Sequence, residues 1–194
     1  MTVTTRDRLI DAAIDLFYHH GYNAIGLDRI LDAVGITKTA FYKHFDSKDA
    51  LILAALERRD RHDIDELVTL MRERAPLGPK AQLLAIFDLL VQWFRDENFR
   101  GCMFMTAAIE FPMQHDPIHM MAERHGANLL TAIASVAEDA GVQDPAALAD
   151  QLMLIVRGAL AARHISMDVS SAEIAHIAAE ALIDRHFHAA PAHA

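Results

Sequence analysis

The chain has 194 residues, 53% of them hydrophobic and 23% charged, a balance that provides a sizeable core and excludes a disordered chain. Its net charge of −9 excludes a protein that coats nucleic acid indiscriminately, because such proteins carry a strong positive balance. A lone cysteine, Cys102, excludes an intramolecular disulfide and a cysteine-built zinc site, while the lack of an apolar run of about 18 residues and of an apolar leader predicts a cytoplasmic protein without a membrane partner.

Taken in order, Arg6 to His20 sets Leu9, Ile10, Ala13, Ile14, Leu16 and Phe17 on one stripe and charged residues on the other, which predicts a helix ending at Gly21. Tyr22 and Ile25 are expected to pack beneath the next two helices. In Leu27 to Val34 the apolar residues Leu27, Ile30, Leu31 and Val34 recur at i, i+3, i+4 and i+7, the buried face of a short second helix. Gly35 supplies the left-handed residue that ends it, and Ile36 can plug the corner. Thr37 reads as the N-cap of a third helix, Lys38 to His44, with Ala40, Phe41 and Phe45 inward and Lys38, Thr39, Tyr42, Lys43 and His44 outward. Two short helices hinged at glycine form a helix-turn-helix, and the outward residues are phosphate and base-edge donors. Lys38 and Thr39, at the front of the third helix, are the candidates for base readout.

Ser47 caps a long helix over 48–74, which APLGP (Ala75 to Pro79) stops. This places a helix-turn-helix domain at 1–50 and a second domain at 51–194, with the 48–74 helix shared. Six Lys or Arg face seven Asp in residues 1–50, which gives −1 there and leaves −8 in 51–194. Within Thr37 to Lys48 three lysines face only Asp46, a locally basic tip on an acidic body. Pro79 to Asp96 predicts a helix apolar on more than one face, and Gly101 to Phe111 a nearly all-apolar, central one ended by Pro112. Ile118 to Ala140 and Pro145 to His164 form two further helices, the latter capped by Asp144. A final helix, Ala172 to Phe187, opens on a capping box of Ser170 and Glu173, and the tail HAAPAHA is expected to fray. The reading is all-α, with about nine helices and no sheet.

Over Arg6 to Leu56 the chain resembles the N-terminal domain of the tetracycline-repressor (TetR) family of bacterial regulators. The matching segments are LFYHHGY (Leu16 to Tyr22), DRILDAVGI (Asp28 to Ile36) and AFYKHFDSKDAL (Ala40 to Leu51), and the aromatic-Tyr-x-x-Phe-x-x-Lys run in the last is the most specific. The resemblance implies phosphate contacts by Tyr42, Lys43, His44 and Lys48 on a double-stranded operator. The family often has Ser or Thr just before the second helix, where this chain has Gly26; the Leu27 amide at the helix N-terminus can substitute. A homodimer with reading helices about 34 Å apart is expected. Leu148, Leu152, Ile155, Val156, Ala159 and Leu160, with Ile174, Ile177, Ala178, Ala181 and Leu182, form small-residue faces on the last two helices that suit either a four-helix interface or packing inside one chain.

The middle helices carry an aromatic and methionine lining suited to a small-molecule effector: Trp93, Phe94, Phe104, Met105 and Met121, with Thr106, Glu110 and His125 as sparse polar groups. In the family a molecule bound there shifts the spacing of the reading heads. The function expected is a ligand-responsive regulator, a repressor released by a largely apolar molecule; the alternative is an all-α ligand-binding or interaction protein without a specific operator. Pro117 interrupts the His115 and His119 pair, so no metal is expected. Cys102 is a redox-sensor candidate without a resolving partner, and its apolar neighbours favour a small buried residue. No base with an orienting group and no glycine-rich phosphate loop marks an enzyme, so neither catalytic residues nor a cofactor are expected.

Overall fold

Thr4 opens the first helix in the computed structural model, which describes residues 3–188. Its hydroxyl accepts from the Asp7 amide at 3.1 Å while Asp7 Oδ2 accepts from the Thr4 amide at 3.2 Å, a reciprocal capping box that starts the helix one residue before the expected Arg6. The Thr4 hydroxyl and then Arg58 hold the Asp7 carboxyl down to about 2. The described residues are all-α: α1 (Thr5–His20), α2 (Leu27–Val34), α3 (Lys38–Phe41), α4 (Lys48–Arg74), α5 (Pro79–Arg95), α6 (Met103–Glu110), α7 (Pro117–Asp139), α8 (Pro145–Ser166) and α9 (Ser171–His188). A 3-10 turn, Ala75–Leu77, succeeds α4 where APLGP predicts a stop. The tail beyond 188 lies outside the described residues.

Two compact units divide the chain, one within Met1–Asp63 and Arg100–Gly126, the other within Ile64–Phe99 and Ala127–Ala194. In the first, Leu9, Ile10, Phe17, Ile25, Ile30, Leu31, Phe41, Leu51, Ile52 and Leu56 share one core with Met103, Phe104, Ala107, Ile118 and Met121. The helix-turn-helix is therefore built on α6 as well as on α1. The Tyr22 hydroxyl donates to the Met103 carbonyl at 3.0 Å, and burial pushes its phenol pKa up. The Tyr22 and Asn23 amides donate to the two Glu110 carboxylate oxygens at 3.1 and 2.6 Å. Gly21, at φ 79°, lets Glu110 come this close: a Cβ there would meet Oε1 at 2.5 Å.

In the second unit α5, α8 and α9 bury Leu83, Phe87, Leu90, Phe94, Leu148, Leu152, Val156, Ala172, Ala179 and Ile183. Lys80 ties α5 to α9 through Glu180 at 2.9 Å and Asp184 at 2.8 Å. This overturns part of the expected interface: Leu148, Leu152, Val156, Ala159 and Leu160 are buried inside their own chain. Among the apolar residues left exposed are Leu154, Gly158 and Ile165 on α8, with Ile174, Ile177, Ala178 and Ala181 on α9. By length and mean hydropathy α8 is the one described helix that could cross a membrane, although Asp150, Gln151 and Arg157 interrupt its apolar residues; burial of its inner face in this unit accounts for that apolarity. The expected capping box of α9 is likewise replaced. The Ser170 hydroxyl donates to Asp168 at 2.8 Å, and Glu173 accepts from Arg95 at 2.6 Å.

Candidate nucleic-acid interface

The reading tip is assembled by backbone geometry first. Gly35 takes φ 72° and ψ 42°, and the Ile36 amide donates back to the Leu31 carbonyl at 3.1 Å, so α2 ends in a left-handed cap and the chain turns sharply. Thr37 then caps α3, its hydroxyl accepting from the Ala40 amide at 3.2 Å. The regular helix is shorter than expected and ends after Phe41. The segment to Phe45 continues as turns, with the His44 and Phe45 amides donating to the Phe41 carbonyl at 2.8 and 3.1 Å.

Phe41 and Phe45 are buried and stacked with centroids 5.8 Å apart, and the Arg6 guanidinium covers Phe45. With these two rings inward, Lys38, Thr39, Tyr42, Lys43 and His44 are all exposed. Tyr42 is 50% exposed, its ring edge-on to Phe41 at 5.3 Å, so the phenol is braced at its base and open at its tip. Lys48 is placed differently. It is half-buried, its Nζ donates to the Tyr22 carbonyl at 2.6 Å and it lies 6.0 Å from the Phe17 ring centre, so it ties α4 to the turn after α1. Ser47 caps α4 as expected, accepting from the Ala50 amide at 3.0 Å.

Gly26 precedes α2 at φ −76° and ψ 158°, and a Cβ there would touch nothing within 4 Å. A serine fits without strain and can cap the helix. Gly26→Ser is expected to raise stability by roughly 0.3–1 kcal/mol and to add a phosphate donor at the α2 N-terminus. Denaturant unfolding checks the first part; a loss of stability would show that the open space is illusory.

The eight residues expected around a ligand are divided between the two units. Trp93 and Phe94 belong to the second unit, and Phe94 is core there. Phe104, Met105, Thr106, Glu110, Met121 and His125 belong to the first. Phe104 and Met121 are core, and Thr106 donates to the Cys102 carbonyl at 3.2 Å. Glu110, expected as a polar group of the pocket, is committed instead to the amides after α1. His125 stacks on Phe104 at 3.6 Å and its Nδ1 donates to Asp60 Oδ1 at 2.8 Å, a buried pair that sequence spacing does not reveal. Burial pushes the Cys102 thiol up despite the nearby Phe104 and Met105 amides, the opposite of what a reactive thiolate needs. His119 spends Nδ1 on the Phe111 carbonyl at 2.8 Å.

Comparison with known proteins agrees with this geometry. Residues 9–55 match the family model described as bacterial regulatory proteins, tetR family, and residues 79–179 match the tetracyclin repressor-like C-terminal domain. A crystal structure of a TetR-family transcriptional regulator from Streptomyces coelicolor is 30% identical with a TM-score of 0.86, covering 94% of this chain and 96% of that one. The transcriptional activator FasR of Mycolicibacterium smegmatis is 41% identical over 68 residues, 35% of this chain and 29% of that protein. The negative transcriptional regulator IcaR of the biofilm operon icaADBC in Staphylococcus epidermidis is 36% identical over 63 residues, 32% of this chain and 34% of that protein. The chain thus spans about a third of the length of these two curated relatives.

Proposed function

The chain belongs to the TetR family of bacterial regulatory proteins, and on that premise we propose that this helix-turn-helix regulator is a repressor that binds a pseudo-palindromic operator as a dimer and is released by a small, largely apolar molecule. The observation that carries the reading is the tip: five polar side chains, Lys38, Thr39, Tyr42, Lys43 and His44, stand exposed over two buried phenylalanines. Lys38 and Thr39, on the first turn of α3, meet base edges; Tyr42, Lys43 and His44 meet phosphates, joined by the Leu27 amide. Lys48 acts one step back, by holding the turn on which α2 stands. The dimer forms through the exposed Leu154, Gly158 and Ile165 with Ile174, Ile177, Ala178 and Ala181, whose small members let helices approach closely. A soluble monomer rarely leaves such an apolar stripe open.

A mobility-shift titration against genomic fragments tests the reading. One class of fragment is expected to outcompete bulk DNA; Lys38→Ala is expected to cost about 1–3 kcal/mol per site and relax sequence preference, whereas Lys43→Ala weakens all sequences alike and lowers the salt slope by about 1 per subunit. If no fragment is preferred and Tyr42→Ala changes nothing, the protein is an all-α binding module rather than an operator-reading regulator. Light scattering checks the dimer, which Ile177→Asp is expected to split into monomers.

A further inference from the structure

The second unit holds a buried cation without an ion-pair partner. Arg163, in the last turn of α8, is only 9% exposed, yet it enters none of the ion pairs among the described residues. Its buried Nε has no hydrogen-bond partner among the described residues. The guanidinium lies 4.8 Å over the Phe99 ring, and Phe99 meets the rings of Trp93 and Phe94 at 5.0 and 5.1 Å. Among the described residues Nη1 meets the thioether of Met167, at 3.9 Å, as a hydrogen-bond acceptor. The nearest acid in sequence, Asp168, has one carboxylate oxygen on the Ser170 amide and the other on the Ser170 hydroxyl, both at 2.8 Å. Asp168 forms no ion pair with Arg163, but its carboxyl pKa is lowered first by the Ser170 hydroxyl and amide and then by the nearby cation. This charge, the ring face and the C-terminal carbonyls of α8 offset part of the cost of burying the guanidinium, and none of them is a hydrogen-bonded counter-charge. Met167 is a weak and displaceable acceptor: it is 73% exposed and sits at φ 55°, the left-handed region, where it is the single non-glycine among the described residues.

We propose that Arg163, with Phe99 beneath and Met167 over it, anchors the carboxylate of a small organic acid with an apolar or aromatic body, and that such an acid is the effector. This rests on the reading of the protein as ligand-responsive. A guanidinium offers two parallel N–H donors that match a carboxylate edge to edge, and one negative charge neutralises the buried positive one. Met167 swings out as the carboxylate enters, and the half-buried Trp93 with Phe99 supplies the surface against which the body of the acid packs.

Trp93 is the only tryptophan and reports on the site. The full chain is titrated with benzoate, straight-chain fatty acids and the matching neutral amides, following tryptophan emission and melting temperature. Benzoate or a fatty acid is expected to change both, with the amide about tenfold weaker or worse. Arg163→Met is expected to abolish the response while melting at or above the temperature of the free wild-type protein, because it removes a buried charge that no ion pair among the described residues answers. Arg163→Lys keeps the charge and loses the fork, so it binds about tenfold more weakly. The proposal is overturned if no acid binds, if amide and acid bind alike, or if Arg163→Met binds benzoate unchanged. It is equally overturned if Arg163→Met melts lower and dissociates the dimer, which would place the counter-charge on a second copy. A mobility shift separates the two readings: an acid that binds through Arg163 without releasing DNA upholds the site and removes its effector role. Release by a neutral molecule from wild type and Arg163→Met alike upholds ligand response and overturns the anion site.

Discussion

Phe41→Ala is expected to cost about 3–5 kcal/mol and to abolish operator binding without removing any group that touches DNA. Phe41 is wholly buried, stacks on Phe45 and sits edge-on to Tyr42, so its ring is the floor on which the exposed phenol rests. Truncation leaves a cavity in the core that Phe41 shares with Ile30, Leu31, Leu51 and Ile52. The turns after α3 hang from the Phe41 carbonyl and have no long helix of their own to hold them. Tyr42→Ala is the contrast. Half-exposed, it is expected to change stability by no more than about 0.5 kcal/mol while still weakening DNA binding. Denaturant unfolding beside a mobility shift reads both variants. Should Phe41→Ala keep wild-type stability, the rings are not the support described; should Tyr42→Ala keep wild-type affinity, the phenol is not a contact.

The reading pair is legible in the sequence because its signals are local. The i, i+3, i+4, i+7 stripe of α2, the left-handed Gly35 and the Thr37 cap each act within a few residues, and together they fix which side chains face out. Thr4 and Asp7 carry an equally local capping signal, which a helix start placed at Arg6 leaves unused. What local pattern cannot show is a partner far along the chain. Glu110 reads as a polar group in an apolar helix, and only the fold reveals that Tyr22 and Asn23 claim it; Lys48 reads as a phosphate contact, and only the fold shows its ammonium on the Tyr22 carbonyl. α8 illustrates a second limit. It is apolar nearly all round, so periodicity cannot say whether the Leu148 and Leu152 stripe or the Leu154 and Ile165 stripe faces its own chain, and the expected interface falls on the buried one.

His125→Leu is the other substitution with a large expected effect, about 3–5 kcal/mol, because it removes the ring N–H that a buried carboxylate in the core of the first unit accepts. Asp60 and His125 are 6% and 7% exposed, with the imidazole N–H as the bond that Asp60 accepts and Phe104 flat against the ring. Burial pushes the His125 pKa below its ordinary 6.5, and the bond to Asp60 and the nearby Asp63 pull back without reversing the direction. The unfolded chain therefore binds more protons than the folded one just below that value. Stability is complete above about pH 6.5 and is lost as the pH falls toward the lower folded value. Asp63 runs the other way: burial raises its pKa, Arg59 at 2.7 Å opposes this, and its contribution fades as pH rises from the ordinary carboxylate value of 3.8. His125→Gln separates the two, since an amide N–H can still reach Asp60 but does not titrate. Unfolding free energies at about pH 7.5 and about pH 5.5 are expected to differ in the wild type and to converge in His125→Gln. An unchanged pH slope in that variant would assign the acid sensitivity to another group, and a His125→Leu loss below about 1 kcal/mol would mean that the histidine is not what holds the buried Asp60 carboxyl in place.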